Sequence, residues 1–101
     1  MTSPSDDEIA REIVRQCLAR GASKSICPSE VARTLAADTT EWRQWMPDVR
    51  RVADVLRAEG RIAVLQRGKA VDAVSTKGPI RFSLRVEAQT LRRALRDLGR
   101  R

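Results

Sequence analysis

The sequence contains no histidine and no tyrosine, and it has only one phenylalanine and two cysteines. Without histidine it lacks the commonest general acid–base group and the commonest metal ligand. Two cysteines are too few for a structural zinc site, and Ser23-Lys24-Ser25 is a loop triplet in which nothing positions the lysine against a serine. One phenylalanine and two tryptophans cannot form the repeated aromatic platform on which single-stranded nucleic acids stack. We therefore expect no enzymatic activity, no metal and no cofactor.

Long apolar runs are also missing, because no segment approaches the roughly 20 residues that span a membrane. The N-terminal residues MTSPSDDE are acidic, whereas a signal peptide begins with basic residues. Cys17 lies on the apolar face of a predicted helix, and Cys27 precedes a proline. The two cysteines form no recognisable framework, so a disulfide is not implied. These features predict a cytoplasmic protein in a reducing compartment, with no membrane partner.

Positive charge is present and is concentrated near the C-terminus. The net charge is +7, and residues 61–101 carry eleven bases against three acids, whereas residues 1–60 sum to −1. A concentrated positive field attracts polyanions, so double-stranded DNA or another polyanion is the expected partner. The alternative is a solvated basic tail on an arginine-rich chain.

Apolar residues recur with helical spacing in three segments, which predicts helices over about 6–20, 28–37 and 47–59. Ser5 and Glu8 form a capping box at the start of the first helix. Its apolar stripe comprises Ile9, Ala10, Ile13, Val14, Cys17 and Leu18. A single turn over Trp42–Met46 is expected to close the core before the third helix. The alternative is that Trp42 and Trp45 form an exposed contact patch or a small-ligand pocket. In that helix Asp48, Arg50, Arg51, Asp54 and Arg57 are expected to face outward.

Branched apolar residues predict strands at 61–66 and 80–84, with a short extended piece at 25–27. The intervening residues 67–79 are predicted to be one irregular basic loop of a two-stranded hairpin. A last helix over 86–99 is expected to carry a narrow apolar stripe with coiled-coil spacing. The stripe comprises Leu84, Ala88, Leu91, Leu95 and Leu98. It would pack within the chain or join two copies into a homodimer.

The order of helix, short strand, two helices and a hairpin is that of a winged helix-turn-helix. We therefore predict a mainly α domain with a small β-hairpin, of the α+β class. The predicted organisation is a disordered segment over 1–5, the winged-helix domain over 6–85, and a basic C-terminal helix and tail over 86–101.

Several short motifs support this architecture. They are ICPSEVAR at 26–33, WRxxMPxVR at 42–50, GRI at 60–62, QRG at 66–68, VD at 71–72 and GPIR at 78–81. Together they resemble a family of small bacterial winged-helix proteins of unknown function, over roughly residues 6–85. The resemblance implies the fold and a bacterial cytoplasmic setting, but no activity.

Two groups of residues are candidates for nucleic-acid binding. In a helix-turn-helix the third helix would enter the major groove, where arginine pairs with guanine and glutamine with adenine. The candidates there are Arg43, Gln44, Arg50 and Arg51. Asp48 and Asp54 lower the local potential, and the alternative is a solvated helix face with an Arg50–Asp54 pair. The candidates for phosphate contact are Arg67, Lys69, Lys77, Arg81 and Arg85.

These observations leave two hypotheses of different classes. The first is a DNA-binding module, with a transcriptional regulatory role, that contacts the phosphate backbone through the hairpin loop and the C-terminal helix. The second is a protein–protein interaction module that keeps the fold without reading DNA. The basic C-terminal segment favours the first hypothesis, and the neutral third helix favours the second.

Overall fold

The computed structural model describes residues 4–21, 24–37 and 40–85. The elements are α1 (Asp6–Arg20), β1 (Ser25–Ile26), α2 (Pro28–Leu35), a 3₁₀ turn (Glu41–Trp45), α3 (Met46–Ala58), β2 (Ile62–Gln66), β3 (Lys69–Ala70) and β4 (Arg81–Leu84). The predicted α+β class is confirmed. In these ranges no helix has the length and apolarity needed to cross a membrane. The helix predicted over 86–99, with the stripe from Ala88 to Leu98, lies outside the described residues.

The predicted start of α1 is confirmed by its cap. The Ser5 hydroxyl accepts a hydrogen bond from the Glu8 amide at 3.2 Å, and acidic residues occupy the first turn, where the helix dipole favours them. Ile9, Ile13 and Cys17 are fully buried. Leu18 was expected to complete this stripe, but its side chain is 59% exposed. The buried face of α1 is therefore narrower than the sequence predicted.

The start of α2 agrees with the sequence, but its end does not. The Glu30 carboxylate accepts a hydrogen bond from the Cys27 amide at 2.7 Å, one half of a capping box. The helix ends at Leu35, two residues before the predicted end. Ala37 adopts a left-handed conformation with φ of +54°, which breaks the helical path.

Apolar side chains from α1, α2 and α3 pack on one face of a four-stranded antiparallel sheet with strand order β1-β4-β2-β3. Val64 of β2 lies opposite Phe82 of β4, and both side chains are buried. In α3 the predicted inward residues Val49, Val52, Ala53 and Leu56 are all buried. Trp42 and Met46 pack against this core, as expected for the turn that closes it.

The prediction of one irregular loop over residues 67–79 was wrong, because this segment contains β3. Arg67 and Gly68 have φ values of +53° and +80°, which gives a two-residue turn of the type that matches strand twist. The chain then pairs back on β2, with Gln66 opposite Lys69 and Leu65 opposite Ala70. Arg-Gly is not the usual sequence for such a turn, and Lys69-Ala70 has little strand propensity.

The two free cysteines differ in accessibility, and this predicts different reactivity. Cys17 is fully buried, and burial raises the pKa of its thiol to about 11, whereas Cys27 is half-buried at the start of α2. Because the thiolate is the reactive form, we expect a disulfide reagent at pH 8 to titrate one thiol in the native protein and two in denaturant. Cys27→Ser should abolish the native reaction. Rapid native labelling of both thiols would contradict the core position of Cys17.

Candidate nucleic-acid interface

Residues 71–80 are hydrogen-bonded to α3 through Arg50, an arginine that the sequence predicted to enter a DNA groove. The Arg50 guanidinium donates hydrogen bonds to three backbone carbonyls, of Ala73 at 3.0 Å, Thr76 at 2.9 Å and Gly78 at 3.0 Å. These acceptors carry no formal charge, and Arg50 has no carboxylate partner in the described part of the chain. Arg50 therefore holds the loop while keeping its positive charge.

Asp54, one helical turn further along α3, completes this attachment. Its carboxylate accepts hydrogen bonds from the amides of Ala73 at 2.6 Å and Val74 at 3.0 Å, and from Arg57 at 3.2 Å. Burial alone would raise the pKa of Asp54, but these hydrogen bonds outweigh it and hold the pKa below its usual value. Arg57 also pairs with Asp72 at 3.0 Å. We call Arg50, Asp54 and Arg57 the loop clamp.

The clamp changes the interpretation of α3. Arg50, Asp54 and Arg57 were expected on an outward face, and Arg50 and Asp54 as an alternative intrahelical pair. Instead Arg50 and Asp54 bind loop backbone groups 19 to 28 residues away. Tertiary hydrogen bonds to backbone groups thus replace the local pairing that helical spacing suggested.

Two other groove candidates, Arg51 and Gln44, also have polar partners. Arg51 pairs with Asp6 of α1 at 2.7 Å and with Asp48 at 3.3 Å, and Gln44 donates to Glu41 at 3.1 Å. Arg51 therefore adds little unpaired positive charge to α3, whereas Arg50 keeps its charge and is held by the loop carbonyls.

The cations at the β2–β3 turn are arranged differently. Arg67 and Lys69 flank Gly68 at the turn, and the Lys77 backbone lies against the same hairpin because the Gln66 side chain donates to the Lys77 carbonyl at 2.8 Å. All three cationic residues are exposed. None of them pairs with a carboxylate of residues 4–21, 24–37 or 40–85. We call Arg67, Lys69 and Lys77 the basic tip.

The two remaining phosphate candidates lie on or just after β4. Arg81 is opposite Leu65, and its guanidinium donates to the Ser25 hydroxyl at 2.6 Å and to the Ser25 carbonyl at 2.9 Å. Arg85 follows β4, and its amide donates to the Arg61 carbonyl at 3.2 Å. The structure thus gathers three of the five predicted residues at the tip and fixes the side chain of Arg81 across the sheet.

A second basic group includes an arginine that the sequence analysis did not select. The guanidinium carbons of Arg33 and Arg43 lie over the Trp42 indole, 4.7 Å and 4.5 Å from the ring centre. Each such cation–π contact contributes about 0.5–1 kcal/mol at an exposed site. Arg33 belongs to α2, and no local spacing signals its approach to the 3₁₀ turn. We call these three residues the Trp42 corner.

A shallow depression of about 380 Å³ connects the Trp42 corner to the clamped loop. It is lined by Arg43, Met46, Pro47, Arg50 and Val74. Val74 is 62% exposed, so apolar surface is presented between two arginines. Nearby in sequence, the Trp45 indole nitrogen is buried, and no acceptor for it lies among the described residues.

The part of the chain that matches a known family contains all of these features. A family model for a protein of unknown function, DUF3253, matches residues 6–85. The chain belongs to the DUF3253 family. The DUF3253 match begins with α1 and ends just after β4, so it contains the clamp, the tip and the corner. The expected membership of a family of unknown function is confirmed over the expected residues. A search of curated proteins gave no match to this DUF3253 chain.

Proposed function

We propose that this chain is a winged-helix domain that binds duplex nucleic acid, with DNA as the expected form, by contacting the phosphate backbone. The observation that carries the proposal is the basic tip, whose three cationic residues are exposed and have no carboxylate partner in the described residues. Lysine and arginine that neutralise phosphates release condensed counterions, and this supplies sequence-independent affinity. In this proposal the chain catalyses no reaction.

The order of the elements supports a winged-helix interpretation. The β2–β3 hairpin would be the wing, and α2 and α3 would be the helix-turn-helix pair. Wings lie along the backbone or minor groove, where arginine is favoured. Arg67 and Lys69 lie at a two-residue turn and are exposed, so their side chains can reach a phosphate without obstruction from the sheet.

The clamp favours contact with the backbone over reading of bases. A recognition helix discriminates sequence through side chains that reach base edges. Here Arg50 is bound to three carbonyls and Arg51 to two carboxylates, so reading by either residue would require breaking those bonds. We therefore propose binding that is largely independent of sequence.

The salt dependence of binding tests this proposal. Each neutralised phosphate contributes a slope of about −0.9 to the plot of log affinity against log salt concentration. Contacts from the tip, together with Arg81 and Arg85, predict a slope of about −2.5 to −4.5 for a random-sequence duplex. Fluorescence anisotropy between low and physiological salt measures it, with polyglutamate as the acidic control. No binding at low salt, or equal affinity for polyglutamate, would refute a nucleic-acid function.

One observation favours the rival function of a protein-interaction module. Part of the face of α3 that would read a groove is bonded to the loop through Arg50 and Asp54, and Val55 and Val74 are 52% and 62% exposed. Exposed apolar side chains of this kind suit a protein partner. If the duplex titration fails while the protein is folded, this second function becomes the better explanation.

A further inference from the structure

We propose that the Trp42 corner is a second anion site, which binds a phosphate of the same duplex that the basic tip contacts. The inference rests on the proposed nucleic-acid function. It assigns a role to Arg33, which neither the predicted recognition helix nor the predicted wing contains.

Among the described residues, no carboxylate compensates the positive charges at the corner. Arg33 and Arg43 both lie within 5 Å of the centre of one indole ring, and neither pairs with a carboxylate in the part of the chain that the structure describes. Their separation is therefore no more than about one Debye length at 0.1 M salt, so the two charges repel each other. An anion bound between or beside them relieves that repulsion.

The indole also prepares the two side chains for binding. A long flexible side chain loses rotamer freedom when it is fixed on a ligand, and this weakens binding. Stacking on Trp42 already restricts Arg33 and Arg43, while the N–H donors at the guanidinium edges stay available. Trp42 itself is half-buried against the core, so the ring is a fixed support.

The corner and the tip are connected along one surface. Arg43 lines the same depression as Val74, and Val74 belongs to the clamped loop that leads to Lys77 of the tip. Arg50 lies on the same depression, with its charge unneutralised by a carboxylate in the described segments. A polyanion that contacts the tip can therefore continue across positively charged surface to the corner.

The test compares Arg33→Gln with Arg43→Gln against a matched control, Arg11→Gln with Lys24→Gln. Both double variants remove two positive charges, and the control residues are exposed on α1 and beside β1, at the opposite sheet edge from β3. With a random-sequence duplex in 0.1 M salt, we expect the corner variant to bind roughly 10-fold more weakly. Its salt slope should be shallower by about 0.9, as expected for the loss of one phosphate contact, and the control slope should change by less than about 0.5.

A variant of Trp42 keeps every charge and tests whether the indole ring supports the two arginines. Trp42→Leu should weaken duplex binding by roughly three- to five-fold because both arginines lose their preorganisation, and Trp42→Phe should restore most of the loss. Circular dichroism establishes that each variant is folded. If Trp42→Leu unfolds, the glutamine variants still decide the question.

The outcomes separate the corner from the wider proposal. If tip variants lose binding while the corner variant matches its control, the corner inference is overturned and the nucleic-acid function stands. If the unmodified chain binds no duplex, both are overturned. A shallower slope for the corner variant alone supports the second anion site.

Discussion

Asp54→Ala is expected to lower the free energy of unfolding by about 2–4 kcal/mol, because it removes a charged acceptor from two backbone amides and from Arg57. The Ala73 amide belongs to a fully buried residue, so little water can replace the lost carboxylate. Native stability is itself only about 5–15 kcal/mol, so the loss would be a large fraction of it. Urea denaturation at pH 7, followed by circular dichroism, measures the change.

Asp48→Ala on the same helix is the matched control. Asp48 is half-exposed, and within residues 4–21, 24–37 and 40–85 its one ion pair is with Arg51 at the surface, so its removal should cost less than about 0.5 kcal/mol. Equal losses from the two variants would contradict the clamp.

The pH dependence of stability gives a second readout at Asp54. Its pKa is lowered in the folded protein, so its contribution is present above the unfolded value of about 3.9 and is lost as pH falls through the folded pKa. Asp54→Asn should therefore be less stable than the unmodified chain at pH 7. Its stability should also fall less steeply as the solution is acidified.

Arg67→Glu with Lys69→Glu is expected to weaken binding to random duplex by roughly 30- to 100-fold at 0.1 M salt, since two phosphate contacts become two repulsions. Anisotropy titration at one fixed salt concentration measures it. Arg11→Glu with Lys24→Glu changes the net charge equally at positions away from the tip, and should cost less than about five-fold. Equal losses from both pairs would mean that only the overall field matters, and the tip would have no special role.

Arg50 and Arg51, the arginines of the predicted recognition helix, offer a second charge-reversal comparison for the tip. Arg50 serves poorly for this purpose, because Arg50→Glu would place a carboxylate against three carbonyl oxygens. A binding loss in that variant would follow from a displaced loop as readily as from a lost base contact.

The sequence predicted those features that depend on nearby residues. The buried faces of α1 and α3 follow from helical periodicity, apart from Leu18, and the Ser5–Glu8 cap follows from a four-residue pattern. The charge distribution also identified Arg67 and Lys69 as members of an exposed basic segment. Each of these signals comes from residues that are close together in the sequence.

Side-chain contacts between distant residues could not be predicted, although the pairing of β2 with β4 was. The clamp joins α3 to a loop about 20 residues later, and the corner brings Arg33 to an indole on the next element. β3 was missed because it has only two residues and follows a turn with arginine at a positive φ. Periodicity and composition carry no information about such contacts.

The loop clamp also restricts how the length of this protein can vary. Surface loops ordinarily accept insertions and deletions, because few of their backbone groups are bound. Between Ala73 and Gly78, however, three carbonyls and two amides dock on Arg50 and Asp54, which are fixed one turn apart on α3. One added or deleted residue would move some of these groups out of hydrogen-bonding reach. This irregular segment is therefore as intolerant of a change in length as the interior of a helix.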